Sequence, residues 1–154
     1  MKRFVVFTLA LLMPSLAICG GHTGLGGTGT AVVVDSKKME GVSGVLIQQT
    51  TNDVWIWDNP PEGFPKATSA TCNQFIAFAL GEQQPVGGAF TCQSVDPDGD
   101  VSIATGAFQA NGTALITQVA GTGKWAAYNG TQSVGKTDIQ VDASTSTYSW
   151  TPVN

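Results

Sequence analysis

The chain has 154 residues, 42% hydrophobic and 12% charged, with a formal net charge of −4. That length supports one domain, and charge at half the usual share together with 19 glycines excludes charge-driven disorder and favours a turn-rich β protein. Seven basic residues against eleven acids cannot form the clustered Lys and Arg surface that nucleic acid requires.

In chain order, Lys2 and Arg3 precede an apolar run, Phe4 to Met13, in which Thr8 is the only polar residue. Pro14 and Ser15 break the run, and Ala17-Ile18-Cys19-Gly20-Gly21 follows. A positive start, a short apolar middle and a small-residue exit predict a secretory signal peptide over residues 1–20, cleaved after Cys19 or Gly20. The run is too short to cross a ~30 Å hydrocarbon core as a helix, and no later stretch is long and apolar enough, so no membrane span is expected. A lipidated cysteine needs a small residue before it, whereas Ile18 precedes Cys19. Loss of Lys2 and Arg3 would leave a mature net charge of 5 − 11 = −6 and no arginine. A secreted or periplasmic protein with no affinity for nucleic acid or anionic membranes is therefore expected.

Residues 21–30 are rich in glycine with little to pack, which predicts a flexible arm ahead of a β domain at residues 31–154. Ala31 to Val34 and Val45 to Ile47 are strand-length β-branched runs. Val54-Trp55-Ile56-Trp57 follows the turn-prone pair Asn52-Asp53, so residues 44–58 read as a hairpin. Pro60, Pro61 and Pro65 mark a stiff loop, and residues 66–72 could hold a helical turn.

Cys72 and Cys92 would be the only thiols of the exported chain, and an oxidising compartment points to a disulfide. Their midpoint is Glu82, between an apolar run at Phe75 to Leu80 and an extended segment at Val86 to Val95. In a hairpin centred there, Cys72 lies opposite Cys92 with Cα atoms roughly 4.5–5.5 Å apart, within bridging range. Two buried free cysteines are the alternative. A metal site would need further ligands, and the single histidine, His22, lies in the glycine-rich tail.

The later half is regular. Asp98-Gly99, Asn111-Gly112 and Asn129-Gly130 fall where type I′ hairpin turns would need φ > 0, separating Val101 to Ala110, Thr113 to Val119 and Lys124 to Tyr128. Ile139 to Val141 and Thr147 to Thr151 complete eight or nine short strands, the pattern of a sandwich or an antiparallel barrel.

Two stretches, Cys92-Gln93-Ser94-Val95-Asp96-Pro97-Asp98-Gly99-Asp100 and Val119-Ala120-Gly121-Thr122-Gly123-Lys124-Trp125-Ala126, followed by Gly130, carry a family resemblance. Over residues 86–135 the chain resembles the allene oxide cyclase barrel-like family of bacterial proteins, related in shape to plant dirigent proteins. The resemblance implies an all-β fold, a single eight-stranded antiparallel barrel with an apolar lumen, in a family often found as dimers or trimers. Family members include enzymes that fold a flexible apolar substrate into a ring, and proteins with no assigned reaction.

Trp55 and Trp57, two apart, share one face of a strand. Filling the lumen is the expectation for them, with Phe75, Phe90, Phe108, Trp125 and Trp150 as further lumen candidates; Trp125 would plug one end. Asp96, Asp98 and Asp100 place three carboxylates at alternate positions, as calcium loops do. The glycine and bidentate acid of an EF-hand are replaced by Val101 and Ala107, so a solvated hairpin turn is expected instead. Asp53, Asp58 and Glu62 could serve acid–base chemistry if buried, but each reads as a turn or loop residue. With one histidine, no Ser-His-Asp site can be assembled in the β domain. No cofactor is implied. The expected function is binding of a small apolar molecule, or service as an interaction module, with a homo-oligomer among the expected partners; the rival is an isomerase or cyclase working in the lumen.

Overall fold

In a computed structural model, residues 24–153 are described. The segment expected to be a signal peptide, Cys19 and His22 lie outside them. Eight strands run β1 Gly27–Glu40, β2 Gly44–Trp57, β3 Ala67–Ala79, β4 Pro85–Val95, β5 Val101–Phe108, β6 Thr113–Gly121, β7 Gln132–Gln140 and β8 Thr145–Pro152. Each pairs antiparallel with the next, and β1 pairs with β8, which closes the sheet into a barrel. Closure over Gly27–Val32 removes the free edge there, whereas the rest of β1 pairs with β2 alone.

Cys72 and Cys92 face each other in the β3–β4 register and are joined by a disulfide. The hairpin axis at Glu82 is as the spacing requires, with one irregularity at Ala77/Phe78 absorbing the offset.

Four expectations are corrected. The glycine arm becomes strand from Gly27, so β1 begins inside the segment expected to be flexible. Its glycines are contact positions: Trp150 and Tyr148 stand opposite Gly27 and Gly29, and a Cβ on Gly29 would come within 2.6 Å of the Tyr148 hydroxyl. The expected hairpin at residues 44–58 is instead one long strand, Gly44–Trp57, in which Asp53 points into the core and pairs in register on both sides. Within 66–72 no helical turn forms: from Ala67 the chain is strand, with Thr68, Ala70 and Cys72 alternating inward at period two. Lys124 to Tyr128 is not a strand but part of a 3-10 helix, Gly123–Tyr128, lying across the barrel end.

The turns also differ in type from I′. Gly99 and Gly112 have positive φ, but Asp98 and Asn111 do not. The amide of Gly99 donates to the Asp96 carbonyl at 3.0 Å, and that of Gly112 to Gln109 at 3.1 Å. These are type I turns ending in a left-handed glycine, the other common hairpin connection. At Asn129-Gly130, φ/ψ of −57°/130° followed by φ 86°, with the Thr131 amide donating to Tyr128, make a type II turn.

Candidate functional site

Alternation along β2 turns Thr51, Asp53, Trp55 and Trp57 to the interior, and β8 adds Tyr148 and Trp150. Trp55 and Trp150 pack edge to face at 6.1 Å, and Trp57 meets Trp150 at 5.3 Å and Trp125 at 5.2 Å. Trp125, only 2% exposed, caps this stack from the 3-10 helix, backed by Phe64 of the β2–β3 loop at 5.1 Å. Phe90 and Phe108 pair at 5.2 Å on the opposite wall. Six of the seven lumen candidates are thus interior. Phe75 is not: on β3 it has the parity opposite to Cys72, so it points outward and is 46% exposed. Its place in an apolar run hid that parity.

Among the described residues these rings line the interior at the Trp125 end, and the inward side chains Gln49, Gln74, Ile76 and Phe78 towards the other end are only partly buried. Two open hollows lie elsewhere, one of about 420 Å³ at the β1–β2 tip beside Met39, Leu46 and Phe78, the other of about 530 Å³ on the outer face beside Val32, Val34, Val54 and Val95.

Within the aromatic stack sits one acid. Asp53 is 4% exposed; the Tyr148 hydroxyl donates to its Oδ2, and the Trp55 indole N–H donates in turn to that hydroxyl at 2.6 Å. Oδ1 is buried with no hydrogen-bond partner among the described residues. The disulfide sulfur of Cys72 lies 3.7 Å from Oδ2 as a bare contact, because a bridged sulfur carries no proton. Burial pushes the Asp53 carboxyl above its usual range, against the opposing pull of Thr51, Tyr148 and Trp55. Burial, and then the Asp53 charge, likewise hold the Tyr148 phenol protonated. By propensity Asp53 reads as a turn residue, and no motif marks Tyr148; the signal that places Asp53 inside is the inward series Thr51, Asp53, Trp55, Trp57. Asp58 and Glu62 are exposed in the loop, as expected.

A carboxyl whose folded pKa is raised favours the folded state at low pH. Its contribution is full below about 3.9, the unfolded value, and is lost as pH rises through the higher folded value. Asp53→Asn is therefore expected to be more stable than wild type at neutral pH by about 1–3 kcal/mol, the scale for a buried unpaired polar group. The gain should vanish in acid. Melting temperature against pH for both proteins checks this; a variant less stable at pH 7 would show that the ionised acid stabilises the barrel.

The second cluster joins the β4–β5 turn to the plug. Lys124 Nζ lies 2.7 Å from Asp96, 2.9 Å from Asp98 and 3.1 Å from Asp100. The side chain of Asp96 has no exposed surface; it accepts from the indole N–H of Trp125 at 3.0 Å and from the amides of Asp98 and Asp100 at 2.9 and 3.0 Å. Burial alone would raise its carboxyl, but Lys124, Trp125 and the two amides outweigh that and hold it below the usual range. Asp96 first, then Asp98, raise the Lys124 ammonium above its ordinary value, against desolvation. The three carboxylates that resembled a calcium loop thus converge on an ammonium built into the chain. Among the described residues no group of three acid, histidine or cysteine side chains is arranged to hold a metal. Calcium is expected to leave the melting temperature where general salt screening puts it. Real binding at a hundredfold excess over Kd would add about 2.7 kcal/mol, and a calcium-specific gain lost in Asp98→Asn would refute the ammonium reading.

Compared with protein-family models, curated proteins and solved structures, the chain matches none.

Proposed function

We propose that this is an exported, non-catalytic β-barrel whose working surface is its outside, an interaction module and not a lumen-binding protein or an enzyme. The observation that supports it is the lumen: four tryptophans, Tyr148 and the Phe90–Phe108 pair occupy the space that a ligand or a flexible substrate would need. Export is supported by the Lys2-Arg3 start and the apolar run behind it, and by a disulfide that an oxidising compartment would maintain. Membership of the allene oxide cyclase barrel-like family is part of the same proposal, supported by the eight-stranded closure and by Trp125 plugging the barrel from the turn that carries the resemblance.

A second reading rests on Asp53. A buried acid beside a tyrosine is the type of pair that enzymes use for proton transfer. Tyr148 and Trp55 seal its bonded oxygen, which favours a structural role.

The test is binding by the native protein. A hydrophobic dye that lights up in apolar cavities should stay dark until the barrel is unfolded, and no small molecule should co-purify. Saturable one-to-one binding with a change in tryptophan emission would overturn the proposal. Intact mass of exported protein should lack the first 19 or 20 residues, and an unprocessed N-terminus would remove the export argument.

A further inference from the structure

Six aromatic rings follow one another without a break. From Tyr148 the series runs to Trp150 at 5.9 Å, to Trp57 at 5.3 Å, to Trp125 at 5.2 Å and to Tyr128 at 6.4 Å. Trp55 branches from Trp150 at 6.1 Å. Every step falls within the centroid range of packed rings, about 4.5–7 Å, so no aliphatic gap interrupts the series. Tyr148 and Trp57 are half-buried and meet solvent; the other three tryptophans are 7% exposed or less.

The rings differ in where their protons can go. Loss of one electron makes a phenol O–H or an indole N–H strongly acidic, so an electron hole settles where a base waits for the proton. Trp57 donates to the Thr68 hydroxyl at 3.2 Å and Trp150 to the Leu25 carbonyl at 2.9 Å, both very weak bases. Trp125 does face a carboxylate, but Asp96 is already bound by Lys124 and two amides, which hold it below the usual range. The Tyr148 hydroxyl donates to an acid of the opposite kind. Asp53 has no cation beside it among the described residues, its second oxygen has no partner, and burial raises its affinity for a proton. Taking up a proton there removes a buried charge. On the other side of the phenol oxygen the Trp55 indole donates at 2.6 Å, a bond that persists once the proton has left.

We propose that Tyr148 and Asp53 form a proton-coupled redox site: a one-electron oxidant draws an electron from the aromatic series, the hole comes to rest on Tyr148 as a neutral phenoxyl radical, and the phenolic proton crosses to Asp53. Atoms and charge balance. The oxidant gains one electron, the Tyr148 O–H bond breaks, and an O–H bond forms at Asp53 Oδ2. A one-electron donor in solution reverses both transfers. This role goes beyond the interaction-module reading and does not depend on it. Around the pair, β2 presents Thr51 and Trp55, β3 the bridged Cys72 and β1 Gly29, none of which titrates.

Flash oxidation of the protein by photogenerated tris(bipyridine)ruthenium(III), read by transient absorption and electron paramagnetic resonance, tests the proposal. The chain has two tyrosines and four tryptophans, so tyrosyl and tryptophanyl spectra report on few sites. In mildly alkaline solution, where Asp53 is ionised, wild type should give a tyrosyl signal that Tyr128→Phe keeps and Tyr148→Phe loses. Asp53→Asn keeps the shape but cannot take the proton, and should slow formation of the signal by about a hundredfold, the low end for a positioned base. Acidification through the folded pKa of Asp53 should slow wild type in the same way and leave Asp53→Asn unchanged. A tyrosyl signal that survives Tyr148→Phe, one that forms as fast in Asp53→Asn, or none at all in wild type overturns the proposal. Asp53→Asn is expected to fold at least as stably as wild type, so its result decides the matter whatever Tyr148→Phe does to the barrel.

Discussion

Asp96→Ala is expected to destabilise the barrel by about 3–5 kcal/mol, the scale for removing one partner from a buried charged network. The carboxylate is wholly buried and satisfies four groups at once: the Lys124 ammonium, the Trp125 indole N–H and the amides of Asp98 and Asp100. Alanine leaves the indole and both amides unpaired in the barrel end, and it removes the strut that joins the β4–β5 turn to the plug. Asp96→Asn keeps the shape and should cost less. Because the folded pKa of Asp96 is lowered, its contribution is present above about 3.9 and lost as pH falls through the folded value. The penalty of Asp96→Ala should therefore shrink in acid, opposite to the behaviour expected of Asp53. Urea unfolding at neutral and acid pH measures both. In a double-mutant cycle with Trp125→Phe, which keeps the ring but drops the donor, a coupling near zero would show that the indole bond does not matter. A cost for Asp96→Ala within 1 kcal/mol of zero would refute the network itself.

The barrel was legible because its evidence is local. Short β-branched and aromatic runs between Asp-Gly and Asn-Gly pairs specify hairpin after hairpin, and a meander of eight hairpin-linked strands has few ways to close. The disulfide was legible for the same reason, since register in a hairpin follows from the turn position. What misled is equally physical. Gly27 and Gly29 read as flexible, yet their missing side chains make room for Trp150 and Tyr148, which stand more than a hundred residues away. The same device recurs where Gly106 lies beneath the Phe90 ring. Asn52-Asp53 reads as a turn by propensity, and only the burial of both flanking strands makes it the middle of one.

The candidate sites show the same division. Three acids at alternate positions were visible from the chain, but the cation that answers them, Lys124, is supplied by a segment two strands later. The sequence had placed that lysine in the motif carrying the family resemblance, where its role was hidden. Gly123, with φ 49° and the Asp100 carboxylate against its Cα, lets the helix start close enough for the lysine to reach all three. Phe75 is the converse case, an apolar residue taken for core whose place in the strand alternation turns it outward.

Cys72→Ala is expected to cost about 3 kcal/mol, the chain-entropy value for a closed loop of the 20-residue separation seen here. Cys92→Ala should cost less, for a reason specific to this lumen. The Cys72 sulfur lies 3.7 Å from Asp53 Oδ2, and while bridged it has nothing to donate. Cutting the bridge from the Cys92 side leaves a Cys72 thiol, which can give its proton to an acid whose other oxygen is buried without a partner. Cutting it from the Cys72 side leaves a methyl group where the sulfur nearest that acid stood. The two variants lose the same loop constraint and nearly the same volume, so their difference isolates the sulfur–acid contact. In an Asp53→Asn background the acceptor is no longer a charged group, and the difference between the two should narrow. Chemical denaturation of the four proteins, with non-reducing peptide mapping to establish the wild-type bridge, provides the measurement. Equal costs for the two cysteine variants would mean that the freed thiol does not reach Asp53, and recovery of two alkylatable thiols from native protein would remove the bridge altogether.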